Sequence, residues 1–224
     1  KLGQICWLQA TTPAARLPEQ SFPGSNDARF KRIASKIVRT LSEPEHRPSW
    51  DFQHKTAWTR GEDGHLLCEP TIYRRRDGAF VRISRDRERP PSLRLYAAVS
   101  RDGGNNWTTA VRTGIPDSPS KSCSGSLADG SVFLIGNYVP DSARGLRDPL
   151  VLSLSRDGAR FDRAAAIRSG SPTIRKDGSA KSRGFQYPSA VLARGALWVI
   201  YSIGKEDVAV TRIPLDALKS MEVK

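Results

Sequence analysis

At 224 residues with 38% apolar content, the chain is long enough for one sizeable core or for part of a larger repeat domain. No run reaches the roughly 18 to 20 apolar residues of a membrane-spanning helix. Cys6, Cys68 and Cys123, with His46, His54 and His65, form none of the C-x-x-C, H-x-x-x-H or H-E-x-x-H spacings of a metal site, so neither a membrane span nor a metal or other cofactor is expected.

In chain order, Lys1 to Cys6 carries no initiator Met and no apolar core followed by a small-residue cleavage site, as a processed or truncated start would leave it. Trp7 and Leu8 can end a strand, and Leu17 to Arg29, rich in Pro, Gly, Ser and Asn, reads as loop. Phe30, Ile33, Ile37, Val38 and Leu41 then recur at helical spacing, with Lys31, Arg32, Lys36 and Arg39 on the other face and Asn26 or Asp27 as caps. A short amphipathic helix is predicted there.

From residue 66 onward the pattern changes to strands, and three segments can be laid over one another. Glu69 to Tyr73 is a short strand, followed by Asp77-Gly78, the apolar strand Ala79 to Ile83, and Leu93 to Val99. Cys123 to Leu127, Asp129-Gly130, Ser131 to Ile135 and Pro149 to Leu154 repeat the order, as do Tyr187 to Leu192, Gly195, Ala196 to Tyr201 and Val208 to Ile213. The turn glycines at 78, 130 and 195 recur at intervals of roughly 50 to 65 residues, the length of a four-stranded propeller blade with its loops. That period favours an all-β propeller over a sandwich. The predicted units are a poorly resolved early blade over 1–65 with the helical insertion, and blades over 66–112, 113–168 and 169–224.

Two of these repeats end their third strand in a polar turn. Ser100-Arg101-Asp102-Gly103-Gly104-Asn105-Asn106-Trp107 fits S-x-D-x-G-x-x-W. In it the Ser and Asp side chains accept backbone N–H groups, Gly supplies backbone freedom, and Trp packs beneath the next strand. Ser155-Arg156-Asp157-Gly158 is a degenerate copy, with Ala159 in place of Gly and Phe161 one residue early. The cysteines are expected to be buried free thiols.

The net charge of +13 favours an anionic partner. The arginines are nevertheless scattered over strand ends and turns, which argues against nucleic acid and leaves a solvated basic surface as the plainer account.

Together, Cys68-Glu69-Pro70-Thr71 to Arg85, the turn at Ser100 to Trp107, Gly145-Leu146-Arg147-Asp148-Pro149-Leu150 and Gly184-Phe185-Gln186-Tyr187-Pro188-Ser189-Ala190 resemble, in the same order, the C-terminal portion of sialidase-like (BNR, or Asp-box, repeat) propellers. The resemblance covers about residues 66 to 215 and implies a six-bladed propeller of which this chain holds three to four blades. It further implies a glycoside hydrolase of the exo-α-sialidase type, with a glycan or anionic sugar as partner and a secreted or periplasmic setting. Carried over residue by residue, Tyr187 is the nucleophile, Glu69 the carboxylate that activates it, and Arg85 and Arg147 belong to the arginine cluster that binds the substrate carboxylate. The chemistry is coherent: planar guanidinium groups clamp a carboxylate bidentately. A neutral Tyr also avoids the repulsion a carboxylate nucleophile would meet beside that charge.

Each residue has a duller reading. Glu69 pairs with a neighbouring Arg, Arg85 joins the solvated charges of its Arg-rich segment with Arg82, Arg87 and Arg89, Arg147 pairs with Asp148, and Tyr187 is a core aromatic. The family's early R-I-P arginine and Asp acid/base have no counterpart. Arg212-Ile213-Pro214 spells the motif on the wrong strand, and no pattern selects among Asp51, Glu62 and Asp63. A non-catalytic carbohydrate-binding propeller and a polysaccharide lyase on the same architecture therefore remain alternatives.

Overall fold

The computed structural model describes residues 28, 32, 35, 36, 39, 59–88, 91–138, 146–178 and 181–221. The chain divides into two units, Lys1–Ala57 and Trp58–Lys224. In the first, Ala28, Arg32, Ser35, Lys36 and Arg39 are helical and exposed. The apolar positions of the predicted helix, its caps, and the strand end at Trp7 and Leu8 lie outside the described residues, as do Cys6, His46, His54 and Asp51.

The second unit is nearly all β, and every strand pairing is antiparallel. Strands β1 (Leu67–Arg74), β2 (Phe80–Asp86), β3 (Arg94–Ser100) and β4 (Val111–Pro116) form one four-stranded sheet in sequence order. A second is built the same way from β5 (Cys123–Ser126), β6 (Val132–Gly136), β7 (Leu150–Ser155) and β8 (Arg163–Arg168). The third has β9 (Phe185–Ala193), β10 (Ala196–Ile203) and β11 (Asp207–Pro214), and a short helix, Leu215–Lys219, follows it. These are three blades of a β-propeller. Among the described residues no helix is long and apolar enough to cross a membrane.

Strand composition explains the stacking. All five residues of β6 are buried, because a strand between two sheets must be apolar on both faces. Val132 and Leu134 pack against Tyr73, Val81, Ile83 and Leu95 of the first sheet. Phe133 and Ile135 face the other way, into a cluster with Phe185, Leu197, Val199, Tyr201 and Leu218. Strand β10 keeps a simple in–out alternation around its centre, with Val199 and Tyr201 inside and Ile200 exposed.

The turn at Ser100 closes through its side chains. Ser100 Oγ donates to Asp102 Oδ1 (2.7 Å) and accepts from Gly104 N (2.9 Å), while Asp102 accepts from Asn106 N (2.9 Å). Trp107 Nε1 donates to the Gly104 carbonyl (3.0 Å), and Arg82 stacks over its ring at 4.8 Å. The degenerate copy closes as well: Gly158 N donates to Ser155 Oγ, and Ala159 N and Arg160 N both donate to Asp157 Oδ1. Its early aromatic, Phe161, meets Tyr73 edge to face at 6.2 Å. Cys68 and Cys123 are free thiols, half-buried at strand starts instead of fully buried as expected.

Two strands carry irregular pairing. In β1 the register jumps from Cys68↔Arg85 to Thr71↔Ile83, so Glu69 and Pro70 together face Ser84. In β9 it jumps from Gln186↔Ser202 to Ser189↔Ile200, so Tyr187 and Pro188 together face Tyr201. Both are β-bulges, and the first residue of each has a left-handed backbone, with φ of +50° at Glu69 and +55° at Tyr187. Such a conformation costs roughly 1 kcal/mol or more at a non-Gly residue and recurs where a side chain must be re-aimed.

Candidate active site

The hairpin that opens each blade lies at one end of its sheet, and Glu69, Arg85, Arg147 and Tyr187 lie at the opposite end. The structure pairs Glu69 with Arg85 directly, Oε2 standing 3.1 Å from Nη1. Burial, the largest single influence, works against the charge on Arg85, yet Glu69, Cys68 and Tyr187 together outweigh it and hold the guanidinium pKa above its ordinary value. Arg147 precedes β7 and bridges to Gly184 at the start of β9. It does not pair with Asp148, whose carboxylate instead accepts from Gly170 N (3.2 Å) and Ser171 N (2.6 Å).

The Arg147 guanidinium is held by its own neighbours. Nη1 donates to Gln186 Oε1 and Nη2 to the Pro119 carbonyl (2.6 Å), which sets Cζ 5.4 Å above the Tyr187 ring. Burial lowers its pKa and Arg85 lowers it further, while Tyr187 and Glu69 act in the opposite direction. Arg85 and Arg147 each sense both Glu69 and Tyr187, which ties the two pairs into one cluster. Gln186 and Asn137, both fully buried, brace it. Asn137 Nδ2 points at the carbonyls of Arg147 (3.0 Å), Pro149 (2.9 Å) and Phe185 (2.9 Å).

Sequence patterns do not single out two further charges of this cluster. Lys205, in the β10–β11 turn, places Nζ 5.2 Å from the Tyr187 ring centroid. Asp117, in the β4–β5 connection, is 2% exposed, and its Oδ2 has no hydrogen-bond partner. Burial pushes its carboxyl up to about 7, although Arg85 and Arg147 pull it down; Asp86 adds to the rise. The connection reads Asp117-Ser118-Pro119-Ser120-Lys121-Ser122, which looks like a solvated loop, yet Ser118, Ser120 and Ser122 are buried with it. Only the packing of the first two sheets reveals that.

The sign of the Asp117 effect follows from its raised value. Below its unfolded pKa of 3.8 the group is protonated in both states and costs nothing. Between that pH and about 7 the unfolded chain releases a proton that the folded one keeps, so stability falls by about 1.4 kcal/mol per pH unit. Asp117→Asn, neutral throughout, is therefore expected to match the wild type near pH 4 and to exceed it by roughly 4 kcal/mol at pH 8. Urea-unfolding midpoints at the two pH values measure this; equal midpoints at pH 8 would refute it.

A cavity of about 720 Å³ lies elsewhere, between the first two sheets, lined mainly by apolar groups such as Val81, Ile83, Ile115 and Phe161. It contains none of the cluster's charged residues. Arg212, of the displaced R-I-P, is exposed on β11 with its guanidinium over Trp198 at 5.9 Å, in a different blade from the Glu69 bulge.

Comparison with known proteins agrees with this architecture. A family model described as a BNR repeat-like domain matches residues 32–200. No curated protein matches the sequence. Among solved structures, the intramolecular trans-sialidase from Ruminococcus gnavus superposes with a TM-score of 0.50 at 16% identity, over 71% of this chain and 35% of that one. A Hadza microbial sialidase gives 0.50 at 13% identity, over 67% and 28%. An α-L-arabinofuranosidase from Fusarium graminearum gives 0.47 at 13% identity, over 69% and 48%. The chain thus spans less than half the length of each of these structures, and at such identities the first two likenesses speak to the fold, a sialidase-like propeller. With well over half of its residues matched, the chain belongs to the BNR repeat-like domain family.

Proposed function

We propose that the protein is a glycoside hydrolase acting on terminal anionic sugars, with Tyr187 as nucleophile, Glu69 as the base that activates it, and Arg85 and Arg147 as ligands of the substrate's acid group. The observation that supports this most is the pair of matched bulges. Two different blades break their ladders at the same end, each presenting one polar side chain from a left-handed residue, and each of those side chains has an arginine against it.

In this reading, the Tyr187 hydroxyl attacks the anomeric carbon as Glu69 takes its proton, the glycosidic C–O bond breaks and the aglycone departs with that bond's electron pair, protonated by water or, for an aryl group, as the phenolate. Water then displaces Tyr187 from the glycosyl-tyrosine, returning its proton, with net retention of configuration. The guanidinium groups neutralise an acid group on or beside the reacting carbon, so the phenolic oxygen approaches without facing its charge. The test is the release of an aryl alcohol by the wild-type protein from α-N-acetylneuraminide, β-glucuronide and β-galactoside substrates. Turnover of an acidic glycoside well above the neutral one is expected. Binding of acidic sugars without turnover would instead make the protein a carbohydrate-binding propeller, and a product absorbing in the ultraviolet from a uronate polymer would make it a lyase.

A further inference from the structure

The first two sheets meet along their inner strands and part along their outer ones. Inside, Tyr73, Val81 and Ile83 close on Val132 and Leu134. Farther out, Val99 sits beside Val81 and Ala97 beside Ile83 on one wall, while on the other Ser153 sits between Leu134 and Ala164, with Val151 beside Gly136. Residues opposite one another share a face, so the outer walls present small side chains that do not meet. The cavity of about 720 Å³ is the result, reaching from Pro116 and Tyr138 to the turn at Gly158. Close-packed interiors leave no such space, and walls this apolar offer water few partners. Its size is that of a small-molecule site.

One end of this cleft is basic. Arg75 and Arg160 line it there, with Gly158, Ala159 and Phe161 of the degenerate turn. The turn is fixed to the first sheet by the Tyr73 hydroxyl, which donates to the Gly158 carbonyl (2.6 Å). Gly158 lets Arg75 enter: its φ is +71°, and a Cβ would lie 2.8 Å from Arg75 Cγ. Arg75 Nη2 stands 3.3 Å from Asp77 Oδ2, which Arg101 shares at 3.7 Å, but its Nε is buried without a hydrogen-bond partner. Asp157 is turned to the amides of Ala159 and Arg160, and Asp162 lies 3.7 Å from Arg163, so the Arg160 guanidinium has no ion pair among the described residues. A buried donor without an acceptor is costly, and an anionic ligand supplies one.

We propose that the cleft between the first two blades binds a medium-chain aliphatic carboxylate, its chain lying between the outer strands and its acid group at Arg75 and Arg160. The aliphatic walls suit methylenes, and the planar guanidinium groups suit a carboxylate. The site is independent of the cluster around Tyr187 and of the function proposed for it.

The test is ligand-observed NMR titration of the full chain with octanoate, decanoate and the neutral 1-octanol, all below micelle formation. Decanoate is expected to bind roughly tenfold more tightly than octanoate, from two further buried methylenes, and octanoate roughly tenfold more tightly than 1-octanol. Ala164→Leu, at an exposed position facing the cleft, should abolish binding of all three without lowering the melting temperature. Arg160→Gln, also exposed, and Arg75→Met should each weaken octanoate several-fold and leave 1-octanol unchanged. If decanoate binds no better than octanoate, or if folded Ala164→Leu binds as the wild type does, the cleft is not the site of the chain. If octanoate and 1-octanol bind the wild type alike, the basic end does not seat a carboxylate, and an apolar side chain of a partner protein becomes the better occupant.

Discussion

Tyr187→Phe is expected to lower turnover on an acidic aryl glycoside by roughly a thousandfold or more, with little change in KM or melting temperature. The substitution removes the hydroxyl and its hydrogen bond with Arg147, whose guanidinium keeps its bonds to Gln186 and the Pro119 carbonyl. The ring itself stays in place, with Arg147 and Lys205 still over it at 5.4 and 5.2 Å from its centroid. The bulge that presents it depends on backbone pairing with Ser202 and Ile200 on either side, not on the hydroxyl. A core aromatic would give the opposite pattern, a loss of stability with activity intact. Single-turnover kinetics separate the chemical step from release. A variant that retained the wild-type kcat would show that another group attacks the sugar.

Gly184→Ala carries the largest expected effect on stability. Gly184 has φ of +127°, and an added Cβ would lie 2.2 Å from the Arg147 carbonyl oxygen and 2.4 Å from its carbon. That is backbone against backbone, and the two segments cannot slide apart cheaply. Phe185 N donates to the Arg147 carbonyl (2.7 Å), and Asn137 reaches the carbonyls on both sides. We expect a loss of about 3 kcal/mol or more, or a fall of roughly 10 °C in Tm for a chain of this size. Gly195→Ala is the control: its φ is +70° but nothing lies within 4 Å of the new Cβ, so it should cost only about 1 kcal/mol. Equal losses in the two variants would mean that the contact with Arg147 is not what makes Gly184 necessary. Because the same contact positions Arg147, any folded Gly184→Ala protein should also bind acidic sugars weakly.

The architecture was legible because it is written in local chemistry. The Asp-Gly pairs at 77–78 and 129–130 lie at hairpin turns with Gly78 at φ of +86° and Gly130 at +81°, a conformation that glycine alone adopts at no steric cost. The Ser100 turn needs only side chains and amides within a few residues of one another. The alternation along β10 announces a strand with one face inward. By contrast, Asp117, Asn137 and Gln186 are buried by elements far away in sequence, and nothing in their own neighbourhoods signals it. Lys205 escaped for a different reason: a single lysine in a polar turn matches no spacing rule, and its direction is set by Glu206 and Gly204 binding segments some 20 to 30 residues upstream. The degenerate copy at Ser155 shows that an imperfect match can still form the whole hydrogen-bonded turn, since its donors are backbone amides that Ala159 and Arg160 supply as well as any residue.

At a bulge the ladder skips a residue, and an N–H is usually left without an acceptor. Here the second residue of each bulge is a proline, Pro70 or Pro188, which has no N–H to strand. Each pair thus divides its labour, one residue presenting a polar side chain at the end of its sheet and the next removing the donor that the irregularity would have orphaned. The side chain that precedes the proline can then change identity without leaving a backbone donor unpaired in the sheet.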